Sequence, residues 1–342
     1  MKLHKTRIIL IFLVILLFGS CSSSRNFLEA KKIKEYPKTE FLPTLENPIS
    51  KNKNAVYCVT LLYAWNEVRN VLKTEMQVPI ELQDTQKDLV LLNNSTSFKD
   101  VLDKNEYEVE GITEGNTIKT KAEFNKSLPF EFKLHSFDDE LVFDGKKVSS
   151  FGVFGEDEEA EKVIKILHYK NDNEFILRLY TEDNLHEIIL FKTQENFETL
   201  AQMNAKVQEK IDKATDEKYD EKTRWKFHIS NKDEVVIPKF SFNIENNFAT
   251  IEGNKVSSKS PKKDYTITTA WQRTAFILDE KGAKIESEAK VETKSMAVEK
   301  PITKHPKKMR FDKPFFVLLK KTNSTTPYFT LFANNAELML KE

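Results

Sequence analysis

The chain has few of the residues from which catalytic and redox sites are usually built. Its 342 residues include two cysteines, eight glycines and six histidines. No C-x-x-C, H-E-x-x-H or G-x-S-x-G motif occurs, and no glycine cluster has the spacing of a phosphate-binding loop. These absences exclude the common zinc, thiol-redox, nucleotide and serine-hydrolase sites. We therefore expect a protein that is not an enzyme and that uses no metal or cofactor.

An excess of charge of one sign is also lacking. The 53 basic residues are balanced by 53 acidic residues, so the formal net charge is zero. Because nucleic-acid-binding domains carry a clear basic excess, the composition gives no argument for a nucleic-acid partner. The lysine-rich residues 259–263 and 304–310 could bind a polyanion, but charged loops that keep the protein soluble are the favoured interpretation.

Apolar runs are short. The longest, residues 8–18, falls well below the ~20 residues that a membrane-spanning helix needs. It follows three basic residues and precedes a small-small-cysteine ending at Cys21, which gives it the dimensions of a signal peptide. Residues 1–20 resemble a bacterial lipoprotein signal, and that resemblance implies that Cys21 is lipidated. The alternative is an ordinary secretory signal with an incidental cysteine.

The lipoprotein interpretation predicts an exported chain held by lipid on the bacterial membrane, most simply the outer membrane, facing the periplasm or the surface. The polar residues 21–53 contain three prolines and are predicted to form a tether, and residues 54–342 the folded domain. With Cys21 lipidated, only Cys58 remains, so no intrachain disulfide is available.

The folded part has β-rich patterning. From residue 117 onward, short runs of β-branched and aromatic residues alternate with turn signals such as Asp144-Gly145. Residues 54–73 and 195–213 have helical periodicity instead. The sequence therefore predicts an α+β fold of multi-stranded, largely antiparallel sheets with packed helices.

Residues 283–297, AKIESEAKVETKSMA, combine a strand pattern with the charge density of a loop. The odd positions from Ala283 to Ala297 are small or apolar, and the even positions are charged until Met296 interrupts the run. Strict alternation of period two predicts a strand with one buried face. An ordinary exposed edge strand is the alternative.

Segments flanking this stretch resemble the serpin family. AFILDEKG (275–282) is similar to the central strand that enters the reactive-centre loop, and FDKPFFVLL (311–319) and TPYFTLFAN (326–334) to the strands that follow the loop. VVIPKFSFNIENNF (235–248) and two stretches within residues 123–183 resemble segments further upstream. The resemblance covers residues 115–342 in order. Between residues 73 and 117 several of the family's helices are missing, so the chain resembles a shortened serpin.

The resemblance implies an exposed reactive-centre loop that a serine protease cleaves and that then enters a sheet as a new strand. The residues it assigns to the loop hinge are Glu280, Lys281, Gly282, Ala283, Ile285, Ser287 and Ala289. The reactive bond falls between Met296 and Ala297, which suits an elastase- or chymotrypsin-like protease. Lys294 or Lys300 would instead suit a trypsin-like one, although Pro301 hinders cleavage after Lys300.

The expected function is therefore a serpin-like, monomeric inhibitor of serine-type endopeptidases. The missing helices and the large Ile285 motivate an alternative, a non-inhibitory serpin-fold lipoprotein with a binding or structural role in the cell envelope. A third interpretation is an unrelated β-rich lipoprotein of the envelope.

Overall fold

The computed structural model describes residues 26–114, 117–155, 157–285 and 306–341. Within these ranges the fold combines α-helices with β-strands, and it has mostly sheet and few helices. This agrees with the α+β class expected from the sequence. Most of its strand pairs are antiparallel.

The strands are short and are numbered in chain order. They are β1 Lys31–Lys32, β2 Thr39–Phe41, β3 Asn54–Cys58, β4 Met76–Gln77, β5 Tyr107–Glu114, β6 Thr117–Phe124, β7 Lys126–Pro129, β8 His135–Phe143, β9 Lys146–Phe154, β10 Ile164–Asn171 and β11 Glu174–Tyr180. The later ones are β12 His186–Lys192, β13 Glu234–Pro238, β14 Phe240–Asn247, β15 Lys255–Ser258, β16 Lys263–Thr266, β17 Trp271–Asp279, β18 Gly282–Ile285, β19 Lys308–Arg310, β20 Phe315–Lys321 and β21 Phe329–Ala333.

The α-helices are α1 Thr60–Leu72, α2 Lys87–Asn94, α3 Glu158–Val163 and α4 Leu200–Glu217. Helix α4 confirms the helix expected over residues 195–213, with its start moved to the residue after Thr199. The Thr199 hydroxyl accepts a hydrogen bond from the Gln202 amide at 3.1 Å and so caps the helix. Met203 and Val207 are buried, as the periodicity predicts.

Two sheets form the body of the protein. The core sheet has seven strands in the order β10-β11-β12-β20-β21-β3-β2. The hinge sheet has five, in the order β1-β14-β17-β18-β7. A four-stranded sheet (β19-β13-β9-β8), a three-stranded sheet (β16-β15-β4) and the β5-β6 hairpin complete the described strands.

Phenylalanines join the hinge sheet to the core sheet. The Phe276 ring of β17 stacks on Phe329 of β21 with 4.6 Å between ring centroids. Phe240 of β14 lies 6.1 Å from Phe315 of β20. All four side chains are completely buried. Aromatic pairs of this kind bury large apolar areas in a defined geometry, so they fix how the two sheets face each other.

A helix was predicted over residues 54–73, and this prediction is wrong for residues 54–58, which form a strand. Asn54–Cys58 form β3, and all five are buried because β3 lies between β21 and β2 in the core sheet. A strand covered on both faces is apolar throughout, and over a short stretch that pattern cannot be distinguished from one turn of a buried helix. The helix begins at Thr60.

The predicted tether over residues 21–53 is wrong for its second half. Thr39–Phe41 form β2, which pairs in parallel with β3. Leu42 and Leu45 are almost fully buried in the core. Their apolar side chains pull this segment into the domain, so the folded part begins well before residue 54. Residues 21–25 lie outside the described ranges.

A buried ion pair fixes the chain where it re-enters the described structure. Lys307 and Asp233 both have fully buried side chains, and Lys307 Nζ lies 2.5 Å from Asp233 Oδ2. The Lys307 amide also donates to Asp233 Oδ1 at 2.7 Å. The Nζ atom lies near the Trp225 and Tyr169 rings, 5.4 and 5.9 Å from their centroids. The next residues form β19, parallel to β13.

Replacing Asp233 by alanine is expected to lower the free energy of unfolding by about 3–5 kcal/mol, because it leaves the Lys307 ammonium buried without its counter-ion. Urea unfolding followed by circular dichroism measures the change. The double substitution Asp233→Leu with Lys307→Met should recover most of the loss, since no unpaired charge then remains. Asp84→Ala, at an exposed carboxylate, is the control; an equal loss in both single variants would contradict the burial argument.

Candidate functional site

The predicted loop hinge is a tight turn between two strands of the hinge sheet. β17 ends at Asp279, residues 280 and 281 turn, and β18 begins at Gly282, which pairs with Asp279. The Lys281 amide donates to Asp279 Oδ1 at 2.8 Å and closes the turn. Gly282 has φ of +117°, and a Cβ there would lie 2.3 Å from the Leu128 carbonyl oxygen. Only glycine fits this position.

The short strand β18 has a central position in the sheet. It pairs antiparallel with β17 on one side and antiparallel with β7 on the other. The two flanking strands are therefore parallel to each other and are joined through β18. Ala283 is completely buried and stands opposite Leu278 on one side and Leu128 on the other. A small side chain is what this position between two leucines accommodates.

Glu280, in the turn, is held by two lysines. Its carboxylate lies 2.7 Å from Lys239 Nζ and 3.7 Å from Lys133 Nζ. Burial alone would raise the pKa of Glu280, but the hydrogen bond from Lys239 and the charge of Lys133 outweigh it, so the pKa lies below its ordinary value. The Glu280 carbonyl also accepts from the Leu134 amide at 2.9 Å. The turn is thus tied to the segment that follows β7.

The first part of β17, before the residues that pair with β18, has a neighbouring strand on one side only. Residues 271–276 pair with β14, and no other strand of the described ranges pairs with them; we call them the open edge. Gln272 and Thr274 on its inner face are buried, whereas Trp271 and Arg273 on its outer face are exposed. Helix α1 packs against both β6 and β17. Strand β6 ends one residue before β7 begins. The segments on both sides of β18, β17 on one side and β6 with β7 on the other, therefore continue past the end of β18.

A cluster of charged side chains surrounds Lys126 of β7, the second strand that pairs with β18. Lys126, which pairs with Ile285, has its Nζ 3.2 Å from Glu106 Oε1 and 2.9 Å from Asp183 Oδ2. His186 Nε2 lies 2.7 Å from Glu106 Oε1. The pKa of His186 is below its ordinary value, because burial disfavours the imidazolium and Lys126 adds positive charge nearby.

Sequence reasoning missed this cluster. Its members come from three separate segments, around residues 106, 126 and 183–186, and no local motif links them. The spacing of charged residues therefore gave no signal.

The structure describes only part of the predicted site. It brings Glu280, Lys281, Gly282 and Ala283 together at the hinge, and it describes the backbone of Ile285. Ser287, Ala289, the predicted reactive bond Met296-Ala297 and the predicted lipidation residue Cys21 lie outside the described residues. Cys58 is buried, and burial raises the pKa of its thiol, which leaves it a poor nucleophile.

Two features are absent from the described ranges. These ranges contain no group of three or more His, Cys, Asp or Glu side chains that could hold a metal ion. None of the helices in them combines the length and the apolar character that crossing a bilayer requires.

Comparison with known proteins gives distant similarity to solved structures only. No family model matches the chain, and no curated protein matches it. A solved structure described as "thyroxine-binding globulin complex with thyroxine" is similar over 63% of this chain, with 14% sequence identity and a TM-score of 0.39. That neighbour is a serpin. The chain spans about half of its length, 55%. A likeness at this TM-score assigns neither a fold family nor an activity to the chain.

The ion pairs of Glu280 predict a pH-dependent contribution to stability. A carboxyl group whose pKa is lowered by folding stabilises the native state above its unfolded pKa of about 4.3. This contribution is lost as the pH falls through the folded pKa. At pH 7 we expect Glu280→Gln to lower the free energy of unfolding by about 1–3 kcal/mol.

Urea titrations at pH 7 and at low pH measure this difference. The wild type and Glu280→Gln should converge in acid, because the wild-type carboxyl is then protonated too. Glu131→Gln, at an exposed carboxylate, is the matched control. A difference that is the same at both pH values would contradict the assignment.

Proposed function

We propose that this chain is a serpin-like inhibitor of serine-type endopeptidases, which acts when its loop is cleaved and inserted into the hinge sheet. The observation that carries the proposal is the position of β18. The chain leaves the Gly282 turn already hydrogen-bonded between β17 and β7, and the open edge continues from the point where β18 ends. A strand that lengthened from β18 would enter between strands that are already its neighbours.

The sequence that follows β18 suits this movement. It continues the alternation, so that a strand extended through it would place Ser287 and Ala289 on the same side as the buried Ala283, and Glu286 and Glu288 on the other side. Small residues inward and charged residues outward are what one half-buried central strand requires. The inner face of the open edge, with Gln272 and Thr274 buried, is the surface that these residues would cover.

The proposed chemistry begins at the predicted reactive bond. The hydroxyl of the protease serine attacks the Met296 carbonyl carbon, forms an ester and releases the amino group of Ala297. The new end is then free of the anchor at Lys307, so the segment that follows β18 can add to the sheet with the protease still attached. New main-chain hydrogen bonds and burial of the inward residues drive the step. An elastase- or chymotrypsin-like enzyme is the favoured target, and a trypsin-like enzyme acting at Lys294 or Lys300 is the alternative.

Export and anchoring complete the proposal. We place the domain outside the cytoplasm as a monomer, held on the membrane by lipid at Cys21. The signal-like residues 1–20 support this placement.

The inhibitory mechanism predicts a covalent complex. Incubation with elastase-, chymotrypsin- and trypsin-like proteases, followed by denaturing gel electrophoresis, should show an SDS-stable band at the summed mass. Ser287→Arg should abolish this band and give a cleaved substrate, because Ser287 is the first position beyond β18 that the alternation directs inward, and an arginine cannot be buried there.

The matched control is Glu286→Arg. It introduces the same side chain at a position that the alternation directs outward, so the complex should persist. Clean cleavage near Met296, without a complex and without a rise in melting temperature, would favour a non-inhibitory serpin-fold lipoprotein. Inhibition that survives Ser287→Arg would contradict insertion.

Anchoring predicts a different location for the Cys21→Ser variant. In a bacterium that processes lipoproteins, the wild type should fractionate with membranes and incorporate labelled palmitate. Cys21→Ser should lose the label and leave the membrane fraction. Cys58→Ser is the control, since that thiol lies inside the domain. Label retained by Cys21→Ser would exclude lipidation at this residue.

A further inference from the structure

We propose that Lys165, Arg178, Tyr180 and Lys218 form a binding site for a phosphate group, on the face of the core sheet that packs against α4. None of these residues belongs to the predicted loop or to the hinge sheet. The inference is therefore independent of the proposed function. The phosphate group is either free or part of a lipid headgroup, and the experiment below distinguishes these two sources.

Two strands place three of the side chains on one face. Arg178 and Tyr180 lie two positions apart in β11, so they point to the same side of the core sheet. Glu174, four positions before Arg178, shares this side and lies 2.7 Å from Lys210 of α4. Lys165 of β10 stands directly opposite Arg178. The Lys165 Nζ and the Arg178 Cζ atoms lie 5.9 and 5.6 Å from the centroid of the Tyr180 ring.

The end of helix α4 adds a third cation. The helix ends at Glu217, and Lys218 follows it. The positive charge of Lys165 lowers the pKa of Lys218, and burial adds to this effect. Two ammonium groups with this influence on each other lie close together. Because Lys218 is exposed, the cluster is open to solvent at this end.

A buried carboxylate holds Arg178 in position. The side chain of Glu187 in β12 is 3% exposed, and its Oε2 atom lies 2.7 Å from Arg178 Nε. Its other oxygen, Oε1, lies 2.6 Å from Lys320 Nζ. Glu187 thus holds the guanidinium from the Nε side. An arginine fixed in this way is suited to a phosphate, because its planar fork can donate two parallel hydrogen bonds to phosphate oxygens.

The positive charge of the cluster is not compensated. Among the residues that the structure describes, Lys165 and Lys218 form no ion pair with a carboxylate, and Arg178 shares Glu187 with a further lysine. Elsewhere on the same face, Lys210 lies 2.7 Å from each of two glutamate carboxylates. Like charges directly opposite each other in a sheet are destabilising. An anion bound between these cations would remove that repulsion.

Tyr180 adds a hydroxyl group among the cations. Burial alone would raise the pKa of Tyr180, but the charges of Lys165 and Arg178 and the hydrogen bonds from them outweigh it, so the pKa lies below its ordinary value. At neutral pH the phenol is protonated and can donate one hydrogen bond to a bound oxygen.

The number and the direction of the donors favour a phosphate over a carboxylate. A phosphate ester has three acceptor oxygens and a charge of about −1.5 to −2 at pH 7, whereas a carboxylate has two oxygens and one charge. The donors here come from β10, from β11 and from the end of α4. The rest of a larger ligand would extend past Lys218 and Tyr219, and the latter is 79% exposed.

Isothermal titration calorimetry of the full-length protein at constant ionic strength tests the site. The two probes are inorganic phosphate and dihexanoyl phosphatidic acid, a soluble short-chain lipid with the same group. Lys165→Gln should weaken binding by about 10- to 100-fold, because one charge-assisted hydrogen bond is lost. Lys170→Gln, on the same strand and with an exposed side chain, is the matched control and should keep the wild-type affinity.

A second readout follows the tyrosine itself. Bound phosphate should raise the pKa of Tyr180, since it offsets the cations that lower this pKa. An ultraviolet absorbance titration of the phenolate, with and without inorganic phosphate, measures the change. The protein has nine tyrosines, so the difference between wild type and Tyr180→Phe isolates this one.

Tighter binding of inorganic phosphate would support the site with free phosphate as its source, and tighter binding of the short-chain lipid would support it with a lipid headgroup. Acetate is the control ligand. Absence of binding for both probes, equal binding of acetate, or equal weakening by Lys165→Gln and Lys170→Gln would overturn the proposal. A titration of Tyr180 that phosphate leaves unchanged would also contradict it.

Discussion

The hydrogen bonding of β18 to both of its neighbours is the constraint on which the hinge depends. β17 and β7 run parallel and are joined through a strand of four residues. To enter that position the chain must turn immediately, which requires the glycine at 282, and must present a side chain no larger than that of Ala283. The ion pairs of Glu280 hold the turn in place. These features are consequences of one strand placed between two others.

Local patterns predicted the parts of the fold that local forces determine. Helix α4 was expected because apolar residues recur along one face, and in the structure Thr199 caps it. The hinge turn was expected because AFILDEKG (275–282) resembles the serpin strand that turns at a glycine into the reactive-centre loop. In both cases the information lies within a few residues of the element. The alternation after Gly282 likewise predicted which side of β18 is buried, and Ala283 confirms this for the first position.

The rest depends on contacts between distant segments. Tertiary contacts make β3 a strand, because burial on both faces removes the periodicity that separates strand from helix. The Lys126, Glu106 and His186 cluster joins residues up to 80 positions apart, which no spacing rule detects. Leu42 and Leu45 belong to a short apolar group in an otherwise polar stretch, and only the core they enter explains their burial.

The buried pair of Lys307 and Asp233 gives the two ends of the loop unequal strength. The leading end emerges from four residues of strand, whereas the trailing end is fixed by a charge pair sealed from solvent. In an uncut chain, β18 could lengthen only by taking up residues of the segment that ends at Lys307, and the buried ion pair holds that end in place. Breaking a single peptide bond removes that restraint without weakening the core. In the mechanism we propose, the buried ion pair therefore decides which end of a cut loop can move: the end attached to β18 is released, and the end attached to Lys307 stays with the core.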